Sequence, residues 1–310
     1  MPYTQQTQRK SHKLQLSGMY TAIVTPFTAA HARKIDEDAY RHLLHLQAEG
    51  GASGVVVSGT TGEGPTLRDV EFGRLIQLSV EAGGDVMQII AGTGTSSTAS
   101  TIAKSRRARE CGAHALLIAP PSYSKPSQRG LLAHFKAVAE STDLPIILYN
   151  VPGRTAVNIE VETLAELSAH PQIIGVKEAS GSINQIMDVI AAVNDDFAVL
   201  AGDDAITLAT LAAGGRGVVS VAGNQAPALC TAMVNRALEG NFEEARARHY
   251  ELYPLMKANF WESNPVVVKA ALHYMGLIEN QVRLPLVPMH KSLETPLKQL
   301  LQNLNIPLQN

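Results

Sequence analysis

The chain predicts a (β/α)8 (TIM) barrel followed by a C-terminal helical extension. Three observations carry this reading. Eight short apolar runs recur along the chain, their starts separated by 35, 34, 27, 30, 28, 24 and 20 residues. The runs are nearly continuous in apolar residues, as parallel strands covered on both faces require. The segments between them have helical period, and eight strand–helix units are what a closed barrel needs.

The runs, in order, are MYTAIVTPF (19–27), GVVVSGT (54–60), QIIAGTG (88–94), ALLIAPP (115–121), PIILYN (145–150), IIGVKEA (173–179), FAVLAGDD (197–204) and GVVSVAGN (217–224). Among the helices, IDEDAYRHLLHLQAEG (35–50) starts acidic and ends at Gly50, a candidate C′ cap. TLRDVEFGRLIQLSVEAGG (66–84) follows the same plan. A doubly wound open sheet is the main rival. The sequence has no GxGxxG opening a helix and no GxxxxGK[ST], and GTGTSS (92–97) resembles a phosphate loop only superficially. After about residue 225 the strand pattern stops. Helical stretches follow at 226–239, 242–258, 264–276 and 288–305, punctuated by Gly240, Pro265, Gly276 and Pro288. The expected division is an N-terminal tail (1–16), a barrel (17–240) and a helical region (241–310). The last would pack beside the barrel or form an oligomer contact.

Composition excludes several function classes. With 310 residues, 45% hydrophobic and 17% charged, the chain suits a globular protein with a large core. A formal net charge of −2 offers no general attraction to nucleic acid or anionic membranes. No run approaches the ~18 apolar residues of a membrane span. Residues 1–16 (MPYTQQTQRKSHKLQL) lack the apolar core of a signal peptide. Cys111 and Cys230 are too few for a disulfide framework. These features together lead to the expectation of a cytoplasmic protein.

The unusual residues collect at the carboxyl ends of the predicted strands, where barrel enzymes place their chemistry. Strand two ends in Gly59, Thr60, Thr61, Gly62, Glu63 and Gly64; strand four leads to Tyr123. Strand five ends in Tyr149 and Asn150, followed by Val151, Pro152, Gly153 and Arg154. Strand six ends in Lys177, and strand seven in Gly202, Asp203 and Asp204. Lys177 is the most informative of them, because it ends the apolar run IIGVK. An ordinary lysine, with a pKa near ~10.4, is neutral only ~0.04% of the time at pH 7. Burial disfavours the ammonium, and a lysine tuned to ~7–8 suits Schiff-base chemistry.

Each residue also has a bland reading. A strand-end lysine can snorkel to water, and Thr60 and Thr61 can merely end a strand and cap a helix. Tyr149 can be a packed aromatic, and Arg154 a solvated loop cation. Against this, hydroxyls and amides on a glycine-containing turn suit a small carboxylate, and a guanidinium fork captures one bidentately. Asp203 and Asp204 are weak metal candidates, since neighbouring side chains on a strand diverge. His42 and His45, spaced i, i+3 on a helix, have no third ligand in view and read as a solvated face.

GTTGEG (59–64), YNVPGRT (149–155), GVKEAS (175–180) and AGDDA (201–205) resemble the dihydrodipicolinate synthase/N-acetylneuraminate lyase family, in the family's order. ESNPVVVKAAL (262–272) extends the likeness, which covers residues 17–305. The resemblance implies a (β/α)8 barrel, pyruvate held as an imine on lysine, no metal or organic cofactor, and a homotetramer built as a dimer of dimers. Carried over by position, it makes Lys177 the imine-forming lysine and Tyr149 the proton relay. Thr61 would join that relay, with Tyr123 supplied across a subunit interface. Thr60 and Thr61 would hold the pyruvate carboxylate, and backbone near Gly202 and Val219 would line the pocket. The Thr60–Thr61 pair and Arg154 resemble the family members that condense pyruvate with L-aspartate 4-semialdehyde, on the route to diaminopimelate and lysine. Arg154 would bind the aldehyde's carboxylate. The alternatives are another pyruvate aldolase, acting on a sugar acid, a hydroxy-oxoglutarate or an aromatic substrate, and, more remotely, a catalytically silent barrel.

The sequence departs from the family pattern at two places. Ser122 precedes Tyr123 where many relatives have a second tyrosine. Asp69, Phe72 and Ser96 stand where lysine-inhibited relatives tend to have two histidines and an asparagine. Inhibition by L-lysine is therefore expected to be weak or absent. A steady-state titration with lysine checks this, and saturation at micromolar lysine would refute it.

Overall fold

The computed structural model describes residues 14, 16–29 and 33–309. Eight parallel strands form a closed barrel in sequence order. They are β1 (Gly18–Ala22), β2 (Gly54–Val57), β3 (Gln88–Gly92), β4 (Ala115–Ile118), β5 (Ile146–Asn150), β6 (Ile173–Glu178), β7 (Ala198–Ala201) and β8 (Gly217–Ser220). All eight predicted runs contain a strand. Each strand is shorter than its apolar run; except in β5, which loses only Pro145, the carboxyl ends of the runs leave the sheet and become the loops of one rim.

The barrel helices are α1 (Glu37–Glu49), α2 (Asp69–Gly83), α3 (Thr98–Glu110) and α4 (Gln128–Glu140). A single turn, α5 (Pro152–Thr155), precedes α6 (Val161–Ser168), α7 (Ile183–Ala192), α8 (Thr207–Ala212) and α9 (Pro227–Leu238). Side-chain caps start several of them. Asp36 Oδ1 accepts from Ala39 N at 3.0 Å in front of α1. Ser97, the last residue of GTGTSS, caps α3 rather than serving a phosphate loop. At the end of α1 the left-handed residue is Gly51 (φ +75°), one beyond the expected Gly50, which stays right-handed. Three helices follow the barrel: α10 (Phe242–Ala258), α11 (Val266–Tyr274) and α12 (Glu294–Asn303). The extension packs beside the barrel, with α10 against α8 and α9, and α11 against α12 and the turn after β8. Among the described residues, no helix is long and apolar enough to cross a membrane.

Period-two alternation sorts the strand residues into two cores. Met19, Val55, Val57, Ile89, Leu116, Leu148 and Val176 face the helices. Tyr20, Val56, Ile90, Leu117, Ile147, Leu200 and Val219 fill the barrel interior. Leu16 is buried with the interior set, although it falls within the expected tail; residues 1–13 and 15 of that tail lie outside the described residues. The interior is thus packed solid up to the rim.

A buried ionic network ties the extension to the barrel. Arg283, after α11, donates from Nη1 and Nη2 to Glu71 of α2 at 2.9 and 2.7 Å. The same guanidinium reaches the carbonyl oxygens of Thr66 and Arg33 at 3.0 and 2.7 Å. Arg283, with help from Arg68, holds the Glu71 carboxyl down at about 2 from its ordinary 4.5. A carboxylate depressed in the folded state adds stability that is complete above its unfolded value and is lost as pH falls through the folded one. Glu71→Gln should therefore lose roughly 2 kcal/mol at neutral pH. In urea unfolding, the gap between wild type and variant should narrow as pH drops from 4.5 towards about 2. A gap that stays constant across that range would contradict this.

Candidate active site

Strand register brings the two most informative residues together. Tyr149 of β5 and Lys177 of β6 are direct partners across the sheet. Both continue the interior-facing alternation, Tyr149 after Ile147 and Lys177 after Gly175. The Lys177 Nζ lies over the Tyr149 ring, 4.2 Å from its centroid. Lys177 is 6% exposed, and among the described residues no carboxylate forms an ion pair with it. Its amine thus sits at the floor of a cavity, on an aromatic face.

The next pair along the same two strands points the other way. Asn150 and Glu178 are register partners and both are fully buried on the helix side. Asn150 Nδ2 donates to Glu178 Oε2 at 2.9 Å and to Asn158 Oδ1 at 2.8 Å. Asn150 Oδ1 accepts from Ile159 N at 2.9 Å, and Glu178 Oε1 from Ser180 N at 2.6 Å. These bonds fasten the ends of β5 and β6 to their following loops. They fix the relative height of Tyr149 and Lys177 without touching either side chain.

Around the pair lies a cavity of about 140 Å³. Its lining includes Thr60, Thr61, Tyr149, Arg154, Lys177 and Gly202. Thr61 is 2% exposed, and its Oγ1 accepts from Asn264 Nδ2 at 2.9 Å. Arg154 stands exposed at the mouth on α5, which opens with Pro152 and closes at the left-handed Ala156 (φ +58°). Gly202 forms wall by being backbone only. A Cβ there would fall 2.6 Å from the Ala179 Cβ and 2.9 Å from the Glu178 carbonyl oxygen.

Two expected residues stand elsewhere. Val219 is buried one layer down in the barrel interior, and Val221, two residues on, lines the cavity instead. Val219 lies within β8, whereas Val221 lies past the strand's end, where the backbone has turned helical at the rim. Tyr123 is 95% exposed on the loop after β4, with φ +72°, and is not part of this chain's cavity lining. Asp203 and Asp204 diverge. Asp203 Oδ1 caps Ala205 N at 2.9 Å. Asp204 Oδ2 accepts from Val221 N at 2.9 Å and Ala222 N at 3.0 Å, anchoring the end of β8. Burial pushes the Asp204 carboxyl up, against the pull of these bonds. His42 and His45 are exposed on α1.

A second groove, of about 550 Å³, adjoins the cavity and shares Thr60, Tyr149 and Arg154 with it. Asp69 and Phe72 line the groove, but Ser96 does not. Lys104 also lines it, with its ammonium 4.6 Å from the Phe72 ring centroid. The sequence reading did not single out Lys104.

It also missed the contribution of the extension. Asn264 and Phe260 line the cavity. Lys269 of α11, fully buried, donates to Glu63 Oε1 at 2.7 Å and to the Thr25 carbonyl oxygen at 2.8 Å. Arg283 N donates to Glu63 Oε2 at 2.8 Å. Glu63 is left-handed (φ +53°) and ends the turn that carries Thr60 and Thr61. Burial lowers the Lys269 ammonium to about 8, with the Glu63 charge opposing.

A closed barrel with a buried lysine and a tyrosine in register at its carboxyl rim defines the class, a Schiff-base lyase of the (β/α)8 type. A family model described as the dihydrodipicolinate synthetase family matches residues 15–304, and the chain belongs to that family. The chain is 44% identical, over 94% of its length and 97% of the relative's, to the 4-hydroxy-tetrahydrodipicolinate synthase of Protochlamydia amoebophila. It superposes on the crystal structure of dihydrodipicolinate synthase from Aquifex aeolicus with a TM-score of 0.92 at 38% identity, covering 95% of this chain and all (100%) of that one. A monomeric dihydrodipicolinate synthase variant matches with the same TM-score, 0.92, at 40% identity over 94% of this chain and 97% of its own.

Lys269→Met would leave Glu63 buried without its cation. Breaking a buried pair from one side costs about 3–5 kcal/mol. Chemical unfolding should show that loss, and Lys269→Met combined with Glu63→Gln should recover part of it. An unchanged midpoint in the single variant would show that the pair adds nothing to stability.

Proposed function

We propose that this chain is a 4-hydroxy-tetrahydrodipicolinate synthase, condensing pyruvate with L-aspartate 4-semialdehyde. The observation that carries the reading is the in-register Tyr149–Lys177 pair, opening on a cavity that also holds Thr60, Thr61 and Arg154. The names of the relatives supply the choice of acceptor.

Lys177 attacks the keto carbon of pyruvate, giving a carbinolamine that loses water to become an imine. The protonated imine withdraws electrons, so a C3 proton leaves and an enamine forms. That carbon then attacks the aldehyde carbon of the second substrate, whose oxygen takes up a proton. The acceptor's own amino group next attacks the imine carbon, which closes the ring and frees Lys177. Each step moves a proton, so a hydroxyl chain is needed beside the nitrogen. Tyr149, whose ring the Lys177 amine already touches, is that relay, and Thr61 is its next member. The hydroxyls of Thr60 and Thr61 and the amides of their turn suit the pyruvate carboxylate. Arg154, exposed at the mouth, suits the carboxylate of the incoming aldehyde. Each of these steps uses the chain's own groups and calls for no metal or organic cofactor.

Tyr123 fits the same scheme from outside. A tyrosine 95% exposed on a left-handed loop residue has no use in its own cavity. It would complete the relay of a neighbouring subunit, in a homotetramer arranged as a dimer of dimers in the cytoplasm. Light scattering after size exclusion reads that assembly directly, and a purely monomeric active enzyme would refute it.

The decisive test is a coupled assay with pyruvate, aspartate semialdehyde and a dihydrodipicolinate reductase, following NADPH oxidation. Turnover should vanish in Lys177→Ala, and Tyr149→Phe should fall by roughly 10²–10⁴-fold, the usual scale of general acid–base catalysis. Pyruvate with borohydride should give a reduced adduct, by mass, on the wild type but not on Lys177→Ala. An adduct without turnover would keep the imine chemistry and assign a different acceptor. No adduct would leave a silent barrel.

A further inference from the structure

The cavity around Lys177 carries a single negative group. Among the described residues that line it, Asp203 is the only carboxylate, against two cations, Lys177 and Arg154. Its sequence neighbour belongs to the frame: Asp204 is buried and accepts from Val221 N and Ala222 N at the end of β8. Asp203 is only half-buried. Ala205 N holds its Oδ1 at 2.9 Å, and among the described residues no hydrogen bond goes to Oδ2. One oxygen is thus fixed by backbone, and the other is left to take a ligand.

Strand order puts this carboxylate opposite Arg154. Lys177 pairs with Tyr149 of β5 on one side and with Leu200 of β7 on the other. The loops after β5 and β7 therefore flank the amine, and they carry Arg154 and Asp203 respectively. Gly202 N donates to the Glu178 carbonyl oxygen at 2.7 Å, which ties the second loop to β6. A molecule approaching the imine from the mouth meets a cation from one loop and an anion from the other. An α-amino acid answers both, because it bears a carboxylate and an ammonium on one carbon. A simple acid answers Arg154 alone, and a second carboxylate would be repelled by Asp203. A sugar hydroxyl offers Asp203 a bond without pairing its charge with a cation.

We propose that Asp203 is the specificity-determining residue for the second substrate: its carboxylate takes the α-ammonium of an amino-acid aldehyde while Arg154 takes the α-carboxylate. The proposal rests on the acceptor given above and says how the site selects it.

The test compares two aldehydes that differ only in the amino group, L-aspartate 4-semialdehyde and succinic semialdehyde. Pyruvate loss is read with lactate dehydrogenase on stopped samples, so ring closure is not needed for detection. Asp203→Asn removes the charge and keeps an oxygen to cap Ala205 N. For the amino aldehyde, kcat/KM should fall by ~10–10²-fold, the scale of a hydrogen bond to a charged group, mainly through a raised KM. With succinic semialdehyde, wild type and variant should have the same kcat/KM, below that of wild type with the amino aldehyde. The rate of pyruvate adduct trapping by borohydride should also be the same in both proteins. A merely structural role predicts equal losses with both aldehydes and slower trapping, which would overturn the proposal. So would an unchanged variant, or a wild type that uses both aldehydes equally well; either result would leave the synthase reading standing. A wild type that traps pyruvate but consumes it with neither aldehyde would instead overturn the acceptor itself, and this proposal with it.

Thermal melting shows whether Asp203→Asn folds. If it does not, Asp203→Ser, whose hydroxyl also caps, is measured in the same way and decided by the same outcomes.

Discussion

Closure of eight parallel strands with strict two-residue alternation is the constraint on which the rest of the molecule depends. Once the barrel closes, every second side chain must fit inside, and Tyr20, Val56, Ile90, Leu117, Ile147, Leu200 and Val219 leave no room for a channel. The only interior positions free for chemistry are the topmost ones. That is why Tyr149 and Lys177 stand at the last inward positions of β5 and β6. A slip of one residue between these strands would turn Lys177 into the helix layer and bring Glu178 inside. The outward pair Asn150 and Glu178 resists that slip, because its bonds are made only in the observed register.

The two buried lysines among the described residues, Lys177 and Lys269, show how environment divides similar side chains. Lys269 is surrounded by partners: the Glu63 carboxylate, the Thr25 carbonyl and the Phe27 ring, 4.3 Å from its nitrogen. Two of its donor protons are committed and the ring covers it, and its displacement would strand a carboxylate. Lys177 meets an aromatic face and a cavity, and among the described residues no ion pair ties it down. Nucleophilic work requires a nitrogen whose lone pair can reach a ligand, and only the second setting allows it. Burial alone would have ranked Lys269 first, since it is the more buried of the two.

The fold was legible in the sequence because it rests on local, repeated signals: eight apolar runs and the helical period between them. The rim residues were placed for the same reason, since each lies at or just past the carboxyl end of a run. Two kinds of information were not legible. Fine placement escaped: the reading put the pocket wall at the backbone near Val219, and the residue that lines the cavity is Val221, past the end of β8. Apolar runs do not mark where a strand ends. Long-range pairing also escaped. Asn264, Lys269 and Arg283 lie more than 200 residues from Thr61, Glu63 and Glu71. Nothing in the period of a helix says which turn its buried polar residue will meet. A lysine inside VVVKAAL is itself a signal, by the argument that singled out Lys177, because an apolar helix face tolerates a cation only against a buried anion.

The extension is therefore more than a cover on a finished barrel. The turn that carries Thr60 and Thr61 has a left-handed residue at Ser58 (φ +59°) and another at Glu63 (φ +53°). Non-glycine residues in that region carry strain and persist only where surrounding contacts over-determine them. At Glu63 those contacts come from Lys269 and Arg283, both in the extension. Without α11, the turn would lose the Lys269 contact that holds its strained end. The carboxyl rim is then a joint product: β5 and β6 set the height of the amine and the phenol, and the extension braces the turn that carries Thr60 and Thr61.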